Sequence, residues 1–374
     1  MGWKILLRYL FGVLCILNCR ILMASPRVDF DERGSQVVGA IMVCDGDDFE
    51  SLIDLKGIGL RAVQSFDVEE SAASELVVEM ASVAREIIAS RFEEMCGENG
   101  VKSVVLGRVG TDSERGAFRL LRIDRLVENS AWLDSGYILF EFDRQGAIID
   151  WTDLSGGFKL SEGVRRGIVI RSKRADFLGS IFGDSTPNPE NLLLLDGVMQ
   201  AIDVGVEDTY LALANLPLRY RKTYEWTILR LSLASKIGSG PEYHESVSMV
   251  DQSFGDRLEF RMYLADYFLL TDRYADSLRH LKAFQHEFGA DSVTSMKACM
   301  VYMAKNEFSA ARSSCEDSLK DEPDRKETWY LLIAIALKSQ DMGRFWELVE
   351  NYENRFQIKF VLRDFENSEG DAEN

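Results

Sequence analysis

Residues 292–325 read SVTSMKACMVYMAKNEFSAARSSCEDSLKDEPDR, and this stretch decides the fold of the carboxyl-terminal half. The stretch before it, residues 258–291, reads LEFRMYLADYFLLTDRYADSLRHLKAFQHEFGAD and repeats its pattern of apolar and small residues. The aligned pairs include Leu264 with Ala298, Phe268 with Tyr302, and Tyr274 with Phe308. A period of about 34 residues is typical of arrays in which each unit is a pair of helices. One pair cannot bury its own apolar face, so we expect neighbouring pairs to stack.

The unit continues with Ala311, Cys315 and Pro323, and the whole pattern resembles the tetratricopeptide repeat. It departs from that pattern at Ser295, where the repeat has an aromatic residue, and at Ser318, where it has alanine. The next unit keeps its first helix in register, but we predict that its second helix is shifted in sequence, as in a terminal cap. Weaker helix pairs are predicted upstream, in 192–216 and 224–254. We therefore predict an all-α tetratricopeptide-like solenoid over residues 190–360.

The resemblance implies that the first helix of each pair lines a concave face. The residues predicted to point outward from these helices, and so to bind a partner, are Met262, Asp266, Leu269, Met296, Met300, Met303, Tyr330 and Leu337. The three methionines from 296 to 303 share one helix stripe, and methionine is common on surfaces that accept varied apolar ligands. One hypothesis is a groove that binds an apolar peptide or helix. The alternatives are that the first domain or the chain's own end packs there, or that the solenoid is wound too tightly to leave a groove.

The amino-terminal half, residues 28–183, mixes helical and strand patterns. A short helix is predicted over 47–55 and a long helix over 69–92, whose apolar positions form one stripe. Alternating residues then predict four strands, at 104–109, 117–123, 137–142 and 147–151, with a hairpin turn at 143–146. The segment 160–181 is predicted to be helical. The expected class is an α+β domain with a long helix on an antiparallel sheet.

The run from Phe118 to Arg122, the strand at Tyr137, the end of the strand at Asp150 and the residues 160–162 together resemble the nuclear transport factor 2-like (cystatin-like) fold. That resemblance implies a cone with a cavity between helix and sheet. The candidate pocket residues are Trp132, Tyr137, Asp150 and Trp151. In the alternative interpretation the aromatic residues fill the core and Asp150 caps a strand end. No histidine precedes residue 244, so a histidine-based mechanism is absent from this domain.

Residues 1–24 read MGWKILLRYLFGVLCILNCRILMA and have the basic start and short apolar core of a signal peptide. We therefore expect an exported, periplasmic or extracellular protein with no stable membrane span in the mature chain; translation from Met23 would instead give a cytoplasmic protein. Four cysteines follow the leader, and an exported chain of this length permits but does not require disulfides. Cys299 and Cys315 lie on facing helices, and we interpret them as small core residues. The acidic segment 364–374 is predicted to be a disordered tail.

The chain has 61 acidic and 43 basic side chains and a formal net charge of −18, which argues against binding nucleic acid. The segment Lys56-Gly57-Ile58-Gly59 lacks the third glycine of a dinucleotide loop and is interpreted as an ordinary turn. No catalytic motif or metal-ligand spacing was found, and no cofactor is expected. The sequence predicts a non-catalytic scaffold that binds a partner protein or peptide. The alternative is a small-molecule-binding or enzymatic cone with the repeats as a targeting arm.

Overall fold

The computed structural model describes residues 30–63, 70–96, 100–112, 116–126, 133–184 and 186–361. The predicted leader, Trp132 and the acidic tail lie outside these residues.

Four helices begin the described chain: α1 (Phe30–Val43), α2 (Gly46–Ser51), α3 (Leu55–Val63) and α4 (Glu70–Cys96). The long α4 confirms the predicted helix, and α2 matches the predicted short one. The segment from Lys56 to Gly59, interpreted above as a turn, lies instead inside α3. Gly59 lets α3 approach α4 closely, because a Cβ there would lie 2.9 Å from the Val77 carbonyl oxygen. Packing against α4 thus outweighs the low helix propensity of glycine.

An antiparallel sheet of five strands follows, with β1 (Val101–Asp112), β2 (Gly116–Leu126), β3 (Leu133–Phe142), β4 (Ile148–Asp153) and β5 (Phe158–Lys159) in that order across the sheet. All four predicted strands are present, and β5 adds a short edge. At the predicted hairpin the Asp143 amide donates to the Ala147 carbonyl over 2.9 Å. The register places Tyr137 opposite Arg122 and Glu141 opposite Asp150.

The two faces of the sheet meet different parts of the chain. The inner face carries Phe140 and Trp151, which pack in one apolar cluster with Met80 and Ile88 of α4. The outer face carries Phe118 and other apolar residues that cluster with helices far along the sequence. The prediction that the long helix covers one face is confirmed, and the second face is covered as well.

The predicted helical segment 160–181 is two helices, α5 (Leu160–Ser172) and α6 (Ala175–Ile181). They separate at Lys173, which has a left-handed backbone with φ of 51°. The remaining described chain is helical. Its helices are α7 (Pro189–Val204), α8 (Val206–Ala214), α9 (Leu218–Arg221), α10 (Tyr224–Ile237), α11 (Pro241–Phe254), α12 (Arg261–Leu270), α13 (Tyr274–Phe288), α14 (Ser292–Ala304), α15 (Phe308–Asp321), α16 (Lys326–Lys338) and α17 (Met342–Phe356), with a 3₁₀ turn at Leu258–Phe260 before α12.

The turns inside the last three helix pairs recur at a fixed spacing. Helices α13, α15 and α17 begin at residues 274, 308 and 342, so each begins 34 residues after the last. Each turn contains one residue with a left-handed backbone, namely Asp272, Asn306 and Gln340. The expected shift of the last second helix is therefore wrong. The shift was inferred because Phe345 occupies the position at which the preceding unit has the small residue Ala311. The backbone turn is nevertheless the same in both units.

All four cysteines among the described residues are paired. Cys44 bonds to Cys96 with a Cα–Cα distance of 5.9 Å, and Cys299 bonds to Cys315 with a Cα–Cα distance of 5.3 Å. Both separations are ordinary for disulfides. The interpretation of Cys299 and Cys315 as unpaired core residues is thereby corrected: antiparallel α14 and α15 bring the two sulfur atoms into bonding contact. Within the part of the chain that is described, no helix is long and apolar enough to cross a bilayer.

Candidate functional site

The predicted partner-binding residues separate into a buried and an open group. Met262, at the start of α12, is buried in the apolar cluster that includes the outer face of the sheet. Met296, in the first turns of α14, is buried against α16 and α17. These two side chains are therefore enclosed within the protein.

The other apolar residues of the predicted outward stripe remain half-buried. They are Leu269 in α12, Met300 and Met303 in α14, and Tyr330 and Leu337 in α16. Asp266 is also accessible and accepts a 2.6 Å hydrogen bond from the Lys297 ammonium. Leu269, Met303 and Leu337 stand 34 residues apart, so they occupy one position in three successive helix pairs. We call these three residues, together with Met300, the distal face.

The sheet covers the other side of the helix pairs, where the loops enter α14 and α16. Tyr137 packs its ring 5.0 Å from Phe284, and Phe118 packs 6.5 Å from Phe288, measured between ring centroids. Between these loops and β2 lies an ionic cluster, the ionic junction, made of Arg122, Asp124, Asp291, Glu322 and Arg325. The sheet therefore takes part in enclosing Met262, whereas Met296 is enclosed by α16 and α17.

Arg122 is the centre of the ionic junction. Its guanidinium lies 3.1 Å from an Asp124 carboxylate oxygen and 3.3 Å from one of Asp291, and it also contacts Glu322. It donates a further 2.9 Å bond to the Ser292 hydroxyl. Burial opposes the charge of Arg122, but the three carboxylates outweigh it, and the pKa of Arg122 is raised.

Asp124 is 2% exposed and joins both arginines, because Arg325 contacts its other oxygen at 3.3 Å. Burial alone would raise the pKa of Asp124, yet Arg122 and the hydroxyls of Ser135 and Ser103 lower it overall. The pKa of Glu322 is likewise lowered, since the bonds from Arg122 outweigh its burial. The junction thus pairs each of its carboxylates with an arginine and has a structural role, while Arg122 Nε and Arg325 Nη1 are buried without a hydrogen-bond partner in the described part of the chain. The sequence showed no sign of it, because its members come from three distant segments.

The candidate pocket residues do not converge. Tyr137 lies on the outer face and donates from its hydroxyl to Asp291 at 2.8 Å. Burial, with Asp291 beside it, raises the pKa of Tyr137 well above its ordinary value. Trp151 lies on the inner face, with its ring 5.8 Å from that of Phe49 and 6.0 Å from that of Phe140. Strand alternation therefore places Tyr137 and Trp151 on opposite sides of the sheet, where they cannot line one cavity.

Asp150 is fully buried at the start of α5. Its carboxylate accepts from the Ser161 amide at 3.0 Å and from the Ser161 hydroxyl at 2.6 Å. It thus holds the amino-terminal end of a helix, where a negative charge is favoured, rather than the strand end named in the alternative interpretation. Burial is the main reason that the pKa of Asp150 is raised.

Three charged residues that sequence reasoning missed surround Asp150. Glu141, directly across the ladder, contacts Arg61 at 2.5 Å and Lys159 at 3.3 Å. The same two cations lie 3.5 and 3.6 Å from Asp150. The two carboxyl groups and the two cations of this cluster are paired with one another, so the cluster needs no further ligand. The one available signal was Glu141, an acid inside the apolar strand YILFEF.

A cleft of about 280 Å³ borders this cluster, lined on one side by Glu141 and Lys159 and on the other by Arg257 and Glu259. Asp150 does not line it. The Arg257 guanidinium is held 2.6 Å from Glu259 and 3.8 Å from the centre of the Tyr224 ring. The opposed charges are thus already paired with one another.

The three histidines differ in burial, and only His280 lies in the core. His280 is buried, its ring 5.5 Å from that of Phe268, with Nε2 3.1 Å from an Asp251 oxygen. Burial lowers the pKa of His280. His244 is exposed and lies 2.7 Å from the Tyr267 hydroxyl. Among the described residues, no three His, Cys, Asp or Glu side chains are grouped to hold a metal ion.

In comparisons with known proteins, no family model, no curated protein and no solved structure matches the chain.

Proposed function

We propose that this is an exported, non-catalytic scaffold whose helix pairs form a tetratricopeptide-like solenoid that binds a partner protein. The amino-terminal domain, a nuclear transport factor 2-like cone in this proposal, supports one side of the solenoid. The observation that carries the proposal is the distal face, in which one repeat position is apolar and half-exposed in three successive units.

The recurrence of the turns supports the solenoid. Left-handed residues at 272, 306 and 340 keep the three helix pairs in the same geometry, so equivalent side chains are displayed at regular intervals. An amphipathic helix or apolar peptide can contact such a row through several side chains at once. Met300 and Met303 adapt to varied apolar partners because their side chains are flexible and polarizable.

The partner that fits is a protein segment with apolar anchors and basic flanks. The chain carries a net charge of −18, so complementary positive charge on the partner favours association. The same net charge disfavours a nucleic acid.

Export is supported by the two disulfides, because disulfides persist mainly in oxidising compartments. Sequencing the amino terminus of the mature protein tests this part of the proposal. A mature protein that begins after residue 24 supports export, and one that begins at Met23 contradicts it.

The main test uses the distal face directly. A photo-crosslinking residue at position 300 in the native cell identifies the contacting protein, whose binding is then measured with purified components. Met300→Ser with Met303→Ser should raise the Kd at least about tenfold, because half-burying each side chain contributes about 1 kcal/mol. Met342→Ser, an exposed methionine outside the face, is the matched control and should leave the Kd unchanged. Equal Kd values for the double variant and the wild type would refute the proposal.

We favour the scaffold over the alternative of an enzymatic cone, because the buried carboxylates of the amino-terminal domain are already bonded to other groups of the protein. Asp150 is fully hydrogen-bonded at a helix start, and Glu141 is bonded to two cations. A catalytic carboxylate must instead reach a substrate.

A further inference from the structure

A cleft of about 730 Å³ opens where both halves of the chain meet, away from the distal face. Its walls come from α4, the β5 region, α5, α10 and the start of α12. The volume falls within the range of small-molecule sites in proteins.

One wall of the cleft is apolar. It includes Ile87 from α4, Phe158 from β5, Ile170 from α5 and Ile228 from α10. Ile170 is 40% exposed, so a large aliphatic side chain faces the open space of the cleft. A hydrocarbon group placed there would remove this surface from water.

The charged residues of the lining favour an anion. They comprise three cations, Arg91, Arg166 and Lys236, and two acids, Glu86 and Glu94, which gives a local charge of +1 in a chain of net charge −18. Glu94 is bonded to Arg91 at 2.6 Å, and Glu86 to Arg171 outside the lining.

The three cations are not equally available. Arg166 is held 3.1 Å from Glu225, which does not line the cleft, and Arg91 is held by Glu94. Lys236 is exposed, and within the described chain no acidic side chain forms an ion pair with it. It is therefore the cation that is free to bind a ligand.

Polar and apolar groups are ordered along α10. Ile228, Ser232 and Ser235 follow one another at helical spacing, with Lys236 beside the last. The rise of the helix places Lys236 about 12 Å from Ile228 along the axis. A ligand lying along this face would meet aliphatic surface at one end and the Lys236 ammonium at the other. The Ser235 hydroxyl already donates to the Ser232 carbonyl oxygen over 2.9 Å.

We propose that this cleft binds an amphiphilic carboxylate, with the carboxylate at Lys236 and the alkyl chain over Ile228 and Ile170. The site is independent of the proposed protein-binding surface, and its failure would leave the distal face untouched.

Isothermal titration of the full chain with octanoate, decanoate and dodecanoate, all below their micelle concentrations, tests the alkyl part. Affinity should rise about fourfold for each added methylene, the effect expected of burying a CH₂ group, until the chain exceeds the cleft. Dodecyltrimethylammonium tests the charge and should bind at least about tenfold more weakly than dodecanoate. An affinity that does not depend on chain length, or equal binding of the cation, would overturn the proposal.

Two variants and one control locate the site. Lys236→Met should weaken dodecanoate about fivefold, as expected for a partly exposed ion pair, and Lys222→Met, which removes an exposed lysine outside the lining, should have no effect. Ser232→Trp fills the cleft from an exposed position and should abolish binding while the circular dichroism spectrum is retained. Unchanged affinity in Lys236→Met overturns the assignment, even if the tryptophan variant does not fold.

Discussion

Replacing Arg122 by methionine removes the central cation of the ionic junction while keeping an unbranched side chain of similar length. Arg122 is 3% exposed and contacts Asp124, Asp291 and Glu322. Removing one partner of a buried ion pair typically costs 3–5 kcal/mol, because the other charge is left uncompensated. Asp291 and Glu322 are about one third exposed and can hydrate, and Asp124 keeps Arg325. We therefore expect the lower limit, a loss of about 3 kcal/mol in the free energy of unfolding.

The loss of stability caused by Arg122→Met should become smaller at low pH. The pKa values of Asp124 and Glu322 are lowered in the folded protein. Their contribution to stability is therefore present above their unfolded pKa values, about 4, and is lost as the pH falls through the folded values. Without Arg122 this contribution shrinks. The difference between wild type and Arg122→Met should be constant from pH 5 to 8 and should decrease below about pH 4.

Urea unfolding followed by tryptophan fluorescence, at several pH values, measures both effects. Arg344→Met is the control, since Arg344 forms exposed ion pairs with Glu347 and Glu316 that should contribute less than about 1 kcal/mol. If Arg122→Met and Arg344→Met were equally destabilising at pH 7, the reasoning about the buried junction would be refuted.

Three further predictions concern other parts of the chain. Replacing Cys299 and Cys315 together by alanine should destabilise the protein by about 3 kcal/mol in urea unfolding, the entropic effect of opening a loop of their 16-residue separation, and peptide mapping of unreduced protein should recover the pair. Gly59→Ala should cost 1–3 kcal/mol because its Cβ meets a backbone carbonyl of α4 at 2.9 Å, whereas Gly39→Ala, with open space around it, should be neutral or stabilising in the same thermal melt. The raised pKa of Asp150 means that its ionisation lowers stability as the pH rises from about 4 through its folded pKa. The advantage of wild type over Asp150→Asn should accordingly be larger at pH 4 than at pH 7, and an advantage that grows with pH would contradict the assigned shift.

Local patterns in the sequence were sufficient to predict the helices and strands whose apolar residues recur with a regular period. The strand at Tyr137 and the long helix α4 show periods of two and of about 3.6 residues, and both are present. Helix α3 was missed because two glycines in LKGIGLRAV argue locally for a turn. Its helical state depends on contact with α4, a tertiary effect that propensity does not contain.

The candidate site was harder to predict, because its boundaries depend on contacts between distant segments. Met262 and Met303 look equivalent in sequence, since both lie on the predicted outward stripe. The structure encloses Met262 in the cluster that meets the sheet and leaves Met303 half-exposed. Met262 belongs to the cluster that includes Phe118 and Tyr137 of the sheet, and Met303 packs against the cluster of α16 and α17, so long-range contacts distinguish the two residues.

The ionic junction therefore has a consequence for binding as well as for stability. Arg122 reaches Ser292, the first residue of α14, and Arg325 immediately precedes α16. Both contacts fix the sheet at the amino-terminal ends of the helices that carry the distal face. Leu269, Met303 and Leu337 lie at the carboxyl-terminal ends of their helices, away from this contact. Loosening the junction should therefore expose Met262, which packs in the cluster that meets the sheet, before it alters the surroundings of Met303, which packs against α16 and α17.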